Sequence, residues 1–83
     1  EAGSLVESIQ VFPNPFSEQL TFVNGNNELS ELILFDISGR KILRRSFTNS
    51  ISIPTANFEK GIYLFETINS KGECYFGKIV KQE

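Results

Sequence analysis

The residues that could carry chemistry are few, and the commonest catalytic types are missing. The 83-residue chain contains no His and a single Cys, so it lacks the usual general base, the imidazole metal ligand and an internal disulfide. One thiol cannot supply the four ligands of a structural zinc site. The sequence also shows no phosphate loop and no metal-ligand cluster. We therefore expect a protein that is not an enzyme and that needs no cofactor or metal.

The charged residues are nearly balanced, with eight Lys or Arg, ten Asp or Glu and a formal net charge of −2. Phosphate binding needs a strong basic footprint, so this balance argues against a nucleic-acid partner. Half of the basic residues nevertheless fall within six positions, at Arg40, Lys41, Arg44 and Arg45. Such a cluster is typical of a solvated strand face or of a sheet edge protected by charge. The functional alternative is a surface for an acidic partner.

The length allows one domain with a small core. Apolar runs extend over only a few residues, far short of the roughly 20 that a membrane-spanning helix needs, so we expect no direct membrane insertion. The chain starts with Glu1 and contains no Met, which indicates a piece of a longer protein. We expect residues 1–7 to be the end of an upstream linker and residues 8–83 to form the domain.

Short apolar segments separated by turn residues predict strands throughout. Seven such segments, with no helical period longer than a turn, favour an all-β fold, an immunoglobulin-like or fibronectin III-like antiparallel sandwich. A six-stranded variant or a small barrel is the alternative. The densest apolar run, residues 32–35, is expected to be an inner strand. The following Asp36-Ile37-Ser38-Gly39 predicts a tight reversal into the basic cluster, because Asp can bond its own backbone and Gly tolerates positive φ.

Two further local patterns suggest corners of the sandwich. Pro13, Asn14 and Pro15 predict a rigid turn that ends the first strand. Tyr63 follows Gly61 at the start of a strand, as in the tyrosine corner of Greek-key sandwiches. We therefore expect its hydroxyl to bond to backbone a few residues upstream.

The last strand, residues 74–81, does not alternate cleanly, because each face carries a lysine. A bulge at Gly77 and Lys78 would repair the pattern, placing Phe76 and Ile79 on the inner side and Lys78 in solvent. Lysines on an edge strand usually deter unwanted pairing. The alternative is that another protein reads this strand, by strand addition for example. Cys74 is expected to be a small buried hydrophobe, or otherwise a free thiol.

Four segments taken together resemble the type A C-terminal sorting domain of the type IX secretion system, also called the Por secretion system. Their order and spacing match over residues 9–82. The segments are Phe12-Pro13-Asn14-Pro15-Phe16, Leu34-Phe35-Asp36-Ile37-Ser38-Gly39-Arg40, Lys60-Gly61-Ile62-Tyr63 and Gly77-Lys78-Ile79-Val80-Lys81-Gln82.

The resemblance implies a small β-sandwich at the C-terminus of exported cargo proteins of Bacteroidetes-type bacteria. Such a domain is recognised by an outer-membrane shuttle and translocon, and is usually removed by a sortase-like protease as the cargo is released or anchored at the cell surface. By position, the resemblance assigns partner recognition to Gly77, Lys78, Val80, Lys81 and Gln82. It assigns fold-defining roles to Pro13, Asn14, Pro15, Asp36, Gly39, Arg40, Gly61 and Tyr63. The extra Glu83 departs from the family pattern and conflicts with any scheme that needs a free terminus at Gln82.

The rival hypothesis is an adhesion or carbohydrate-binding module of fibronectin III type that is retained in a secreted protein. It would use an exposed aromatic such as Tyr75, or the basic cluster, as its platform. An unpaired edge strand would also allow a dimer.

Overall fold

The computed structural model describes residues 9–25 and 27–82. The predicted linker, residues 1–7, lies outside the described residues, as do Asn26 of the second turn and the added Glu83. This part of the chain holds no helix with the length and hydrophobicity that crossing a membrane requires. It folds into seven strands, which are β1 (Gln10–Phe12), β2 (Gln19–Val23), β3 (Leu29–Asp36), β4 (Lys41–Thr48), β5 (Ser50–Pro54), β6 (Gly61–Asn69) and β7 (Cys74–Lys81).

The strands form two antiparallel sheets. One has three strands in the order β1-β2-β5, and the other has four in the order β4-β3-β6-β7. Residues of both sheets share one core, in which the rings of Phe22 on β2 and Phe65 on β6 meet edge to face with centroids 5.2 Å apart. The predicted β-sandwich is therefore confirmed.

The hairpin of β3 and β4 forms as predicted. β3 lies between β4 and β6, so the apolar run of residues 32–35 is on an inner strand. Asp36 and Arg40 close the turn, because the Asp36 N–H donates to the Arg40 carbonyl at 3.0 Å. Gly39 has a φ of 93°, which other residues rarely adopt. β4 is the terminal strand of its sheet, so the basic cluster leads into an edge strand, as the protected-edge interpretation predicted.

The core is built from alternate residues of the strands, with one addition from a loop. Phe16, between β1 and β2, is completely buried although it belongs to no strand. The buried cluster comprises Phe16, Leu20, Phe22, Leu32, Leu34, Phe47, Ile53, Tyr63, Phe65 and Ile79.

The predicted bulge in the last strand is wrong. β7 pairs with β6 in an uninterrupted register from Ile68 opposite Cys74 to Gly61 opposite Lys81. Odd-numbered residues of β7 therefore face inward and even-numbered ones outward. Phe76, expected inside, is 72 % exposed, and Cys74, expected to be buried, is exposed as well.

A close approach explains why Gly77 stands on this strand without a bulge. A Cβ atom on Gly77 would lie far inside van der Waals contact with Cε2 of the Phe65 ring. The missing side chain thus makes room for an aromatic ring from the neighbouring strand.

Candidate recognition surface

The five residues predicted as a recognition signal divide between the two faces of β7 and the residue after it. Lys78, Val80 and Gln82 are exposed, and we call these three the outward row. Gly77 lies opposite Phe65, and Lys81 is only 6 % exposed. The structure thus brings three of the five together on an accessible surface and places the other two against the fold.

Lys81 is held at the end of the sandwich by two neighbours. It lies opposite Gly61 on β6, and it forms an isolated parallel bridge with Phe16 on its other side. A shallow cleft at this end is lined by Ser17, Lys60, Gly61, Lys81 and Gln82. A lysine can bury its methylene stem in this way while its ammonium group remains near solvent.

The segment of residues 13–16, which we call the clamp, covers the outer edge of the end of β7. The Val80 N–H donates to Oδ1 of Asn14 at 3.0 Å, and the Asn14 Nδ2 donates to the Lys78 carbonyl at 3.5 Å. The Phe16 N–H donates to the Val80 carbonyl at 2.8 Å, and the Gln82 N–H donates to the Phe16 carbonyl at 2.8 Å. Three backbone groups of β7 and the N–H of the following Gln82 are therefore satisfied by the clamp.

The clamp is anchored by the buried ring of Phe16. Its centroid lies 6.0 Å from that of Tyr63 and 6.2 Å from that of Phe58, and both contacts are edge to face. Such aromatic contacts add to the free energy gained from burial alone. The bond before Pro13 and the bond before Pro15 are both cis. The clamp thus joins the first corner of the chain to its last strand.

Tyr63 makes the contact that the tyrosine-corner hypothesis predicts. Its hydroxyl donates to the carbonyl of Glu59, four residues upstream, at 2.5 Å. Burial raises the pKa of the Tyr63 phenol above its ordinary value, and the charges of Glu59 and Asp36 act in the same direction. Gly61, with a φ of 143°, lets the chain turn into β6 between Glu59 and Tyr63.

Asp36 organises the hairpin turn. Its Oδ1 accepts from the Ser38 hydroxyl at 2.6 Å and from the backbone N–H groups of Ser38 and Arg40, each at 3.0 Å. Its Oδ2 accepts from the Arg40 Nε at 3.1 Å. These donors, with the Ser38 hydroxyl as the largest influence, hold the pKa of Asp36 below its ordinary value. Asp36, Gly39 and Arg40 therefore shape the turn.

The basic cluster on β4 is partly neutralised by its neighbours. Arg44 donates from Nε and Nη2 to the carboxylate of Glu31 on β3, at 2.9 and 3.1 Å. This bidentate pair lowers the pKa of Glu31 below its ordinary value. Arg40 is paired with Asp36 as described above. Two of the four basic side chains thus bind acids of the same sheet, which fits a protected edge.

Sequence reasoning missed two features of this surface. The first is the contact of Asn14 with β7, which joins residues 66 positions apart and leaves no local pattern in the sequence. The second is Phe76, which an assumed bulge had turned inward. The alternative platform residue, Tyr75, is half-buried and lies opposite Thr67 on the inward side of β7. Strict alternation of inward and outward side chains along β7 would have placed Phe76 on the outward face.

Comparison with known proteins agrees with this architecture. A solved structure of a DUF3244 family protein with an immunoglobulin-like β-sandwich fold, from Bacteroides vulgatus, superposes with a TM-score of 0.72. It shares 21 % identity over 89 % of this chain and 84 % of its own, which shows a common fold. No curated protein matches the sequence.

The family comparison reaches further than the fold. The model of the secretion system C-terminal sorting domain matches residues 10–82, and this span includes the clamp, the hairpin turn, the tyrosine corner and the outward row. The chain therefore belongs to the C-terminal sorting domains of the type IX secretion system, which direct a fused cargo protein to the outer membrane or the cell surface.

Proposed function

We propose that an outer-membrane shuttle or translocon recognises this domain through the outward row formed by Lys78, Val80 and Gln82. The observation that carries the proposal is the combination of exposure and fixed position. All three side chains face solvent. The backbone beneath them is bonded to β6 on one side and to Asn14 and Phe16 on the other. A partner would meet a cation, an apolar group and an amide at a regular two-residue spacing.

A row fixed in this way suits recognition, because little conformational entropy is lost when a partner binds it. Val80 is 38 % exposed and supplies an apolar contact, whereas Lys78 supplies a charge that can select the partner. Gly77 and Lys81 act indirectly in this proposal. They set the position of the row, Gly77 by admitting the Phe65 ring and Lys81 by joining β6 to the clamp.

The proposed role requires binding and no catalysis. The sequence contains no His. Among residues 9–25 and 27–82, no three of the His, Cys, Asp and Glu side chains are grouped so that they could hold a metal ion. The chemistry of maturation is assigned instead to a separate sortase-like protease, which would cut upstream of the sandwich.

The test is a fusion of the whole 83-residue chain to a neutral periplasmic reporter, expressed in a host that has the secretion system. The parent fusion is compared with a variant of the outward row that carries Lys78→Ser, Val80→Thr and Gln82→Ser. The matched control changes three exposed residues of β4, with Lys41→Ser, Ile42→Thr and Thr48→Ser. Urea denaturation checks that every variant is folded.

We expect the parent and the β4 control to reach the cell surface or the medium, and the outward-row variant to remain in the periplasm. A parent fusion that stays in the periplasm would contradict the proposed function. Export of the outward-row variant at the parental level would show that other residues are read.

Removal of the domain is tested on the same fusion by mass spectrometry of the exported reporter. We expect the mature reporter to lack the sandwich, because the protease separates it from its cargo. A mature reporter that still carries residues 9–82 would support the rival hypothesis of a retained adhesion or carbohydrate-binding module.

A further inference from the structure

The outer edge of β7 is closed at one end and open at the other. Val80 turns its N–H and C=O away from β6, toward Asn14 and Phe16. In an antiparallel pair this orientation recurs at every second residue. Cys74, Phe76 and Lys78 therefore turn their backbone groups to the same side. Of these, only the Lys78 carbonyl reaches the clamp.

Residues 74–78 form what we call the open edge. β7 is the terminal strand of its sheet, and within the described part of the chain no other strand lies beside it. The outward N–H and C=O groups of Cys74 and Phe76, together with the Lys78 N–H, are thus available to a further strand. The clamp stops such a strand from extending past Lys78, so the accessible site has a defined length.

An apolar groove accompanies the open edge. Phe76 is 72 % exposed and borders a groove of about 530 Å³ that Phe35 and Leu64 also line. Lys78 lies at the same groove and, among the described residues, forms no ion pair. In strand addition, backbone hydrogen bonds supply affinity and contacts of alternate side chains supply specificity. The open edge offers the hydrogen bonds, and Phe76 and Lys78 offer the side-chain contacts.

We propose that an extended segment of the secretion machinery pairs with the open edge, placing a large apolar side chain against Phe76 and an acidic one beside Lys78. This proposal rests on the proposed function and names the mode of binding. The added strand would continue the line that the clamp begins. The same partner would then reach the exposed side chains of the outward row on the adjacent face of β7.

A second copy of the chain is the weaker occupant. Two open edges could pair across a two-fold axis at Phe76, but the clamp of each copy would limit the pairing to about five residues. Stable interfaces bury about 1,200–2,000 Å² in total, which so short a pairing does not approach. A protein of the secretion machinery can make contacts with the outward row and the groove in addition to this short backbone pairing.

The test uses the reporter fusion with one backbone variant and one side-chain variant. Cys74→Pro removes an outward N–H and spares the bonds to β6, and proline is tolerated at the first residue of an edge strand. Phe76→Thr removes the anchor and keeps a residue type that favours strands. The matched controls are Cys74→Ser, which retains the N–H, and Ile37→Thr, which alters an apolar residue that is 65 % exposed in the hairpin turn.

We expect Cys74→Pro and Phe76→Thr each to lower export by about ten-fold or more, the loss that follows when hydrogen bonds or an apolar anchor are removed from an interface. The two controls should export at the parental level, and urea denaturation should show that all four variants fold. If Cys74→Pro fails to fold, Phe76→Thr decides.

Parental export of Phe76→Thr and of folded Cys74→Pro, together with a block in the outward-row variant, would overturn strand addition and leave the proposed function standing. A parent fusion that is not exported would overturn both. Sedimentation of the purified chain tests the remaining alternative, in which a second copy of the chain occupies the open edge. If the parent is a dimer and Cys74→Pro is a monomer that is not exported, the occupant is a second copy and the proposal is wrong.

Discussion

Strands β4 and β7 lie at opposite edges of the same four-stranded sheet, and they treat their unpaired backbone differently. β4 carries Lys41, Arg44 and Arg45 at exposed positions, and Arg44 is tied to Glu31 on the adjacent strand. β7 has only the end of its outer edge covered by the clamp, and beside the open residues 74–78 it exposes Phe76.

Charge and cover are both known ways to prevent edge-to-edge aggregation. β4 uses charge along its length, so a strand that approached it would have to desolvate several cations. β7 is covered only at its end, by the clamp, and the side chains of the outward row are exposed there. Charge therefore protects the edge at β4, whereas under our proposal the open part of β7 is where a partner binds.

Removal of the anchor of the clamp should have the largest effect. Phe16→Ala deletes a completely buried ring, so we expect a loss of about 3–5 kcal/mol in the free energy of unfolding, a large share of the stability of a small domain. Urea denaturation measures it. Phe12→Ala is the control, because Phe12 is exposed and its loss should cost much less. Similar losses in the two variants would mean that the clamp is not anchored by burial.

Filling the space beside Phe65 should have the next largest effect. Gly77→Ala forces its Cβ into the ring, and we expect a destabilisation of about 1–3 kcal/mol, typical of overpacking. Ser46→Ala, at an exposed position of β4, should change stability by only a few tenths of a kcal/mol. A Gly77→Ala variant as stable as the parent would show that the ring moves aside freely.

Opening the clamp without disturbing the core should have a smaller effect. Asn14→Ala removes the acceptor of the Val80 N–H and the donor to the Lys78 carbonyl, at a cost of about 0.5–1.5 kcal/mol. Hydrogen exchange should become faster at the Val80 amide. Asn14→Asp keeps the acceptor and should lose less protection there. Unchanged exchange at Val80 in Asn14→Ala would contradict a covered edge.

Loss of the ion pair between Arg44 and Glu31 on the β4 side should have the smallest effect on stability, because this pair lies at the surface. Arg44 lowers the folded-state pKa of Glu31, so the pair contributes stability above the unfolded-state pKa, and that contribution is lost as the pH falls through the folded-state pKa. Arg44→Ala should therefore differ from the parent slightly at neutral pH and less in acid. Urea denaturation at both pH values checks this, and a difference that grows in acid would contradict it.

Much of the fold could be predicted because its signals are local. The turn at Asp36 and Gly39 depends on residues within four positions of each other, and the hydroxyl of Tyr63 reaches only to Glu59. The alternation of β6 likewise reflects which face of one strand meets the core. In each case the residues that determine the geometry are neighbours in the chain.

The errors fall on β7, where local rules gave conflicting signals. A lysine on each face suggested a bulge, but Lys81 is only 6 % exposed and its backbone lies between Gly61 and Phe16, so the simple alternation holds. The same error turned Phe76 inward. Because a change of register by one residue exchanges the two faces of a strand, one buried lysine was enough to mislead the interpretation.

The sequence by itself determined the class of fold, the hairpin turn, the tyrosine corner and, through four short motifs in order, the family. Only the tertiary structure decided that Asn14 and Phe16 cover the end of β7, that Gly77 admits the ring of Phe65, and that Phe76 lies beside an open edge. The physical reason is that these contacts join residues far apart in the chain. Their geometry exists only after the two sheets have packed.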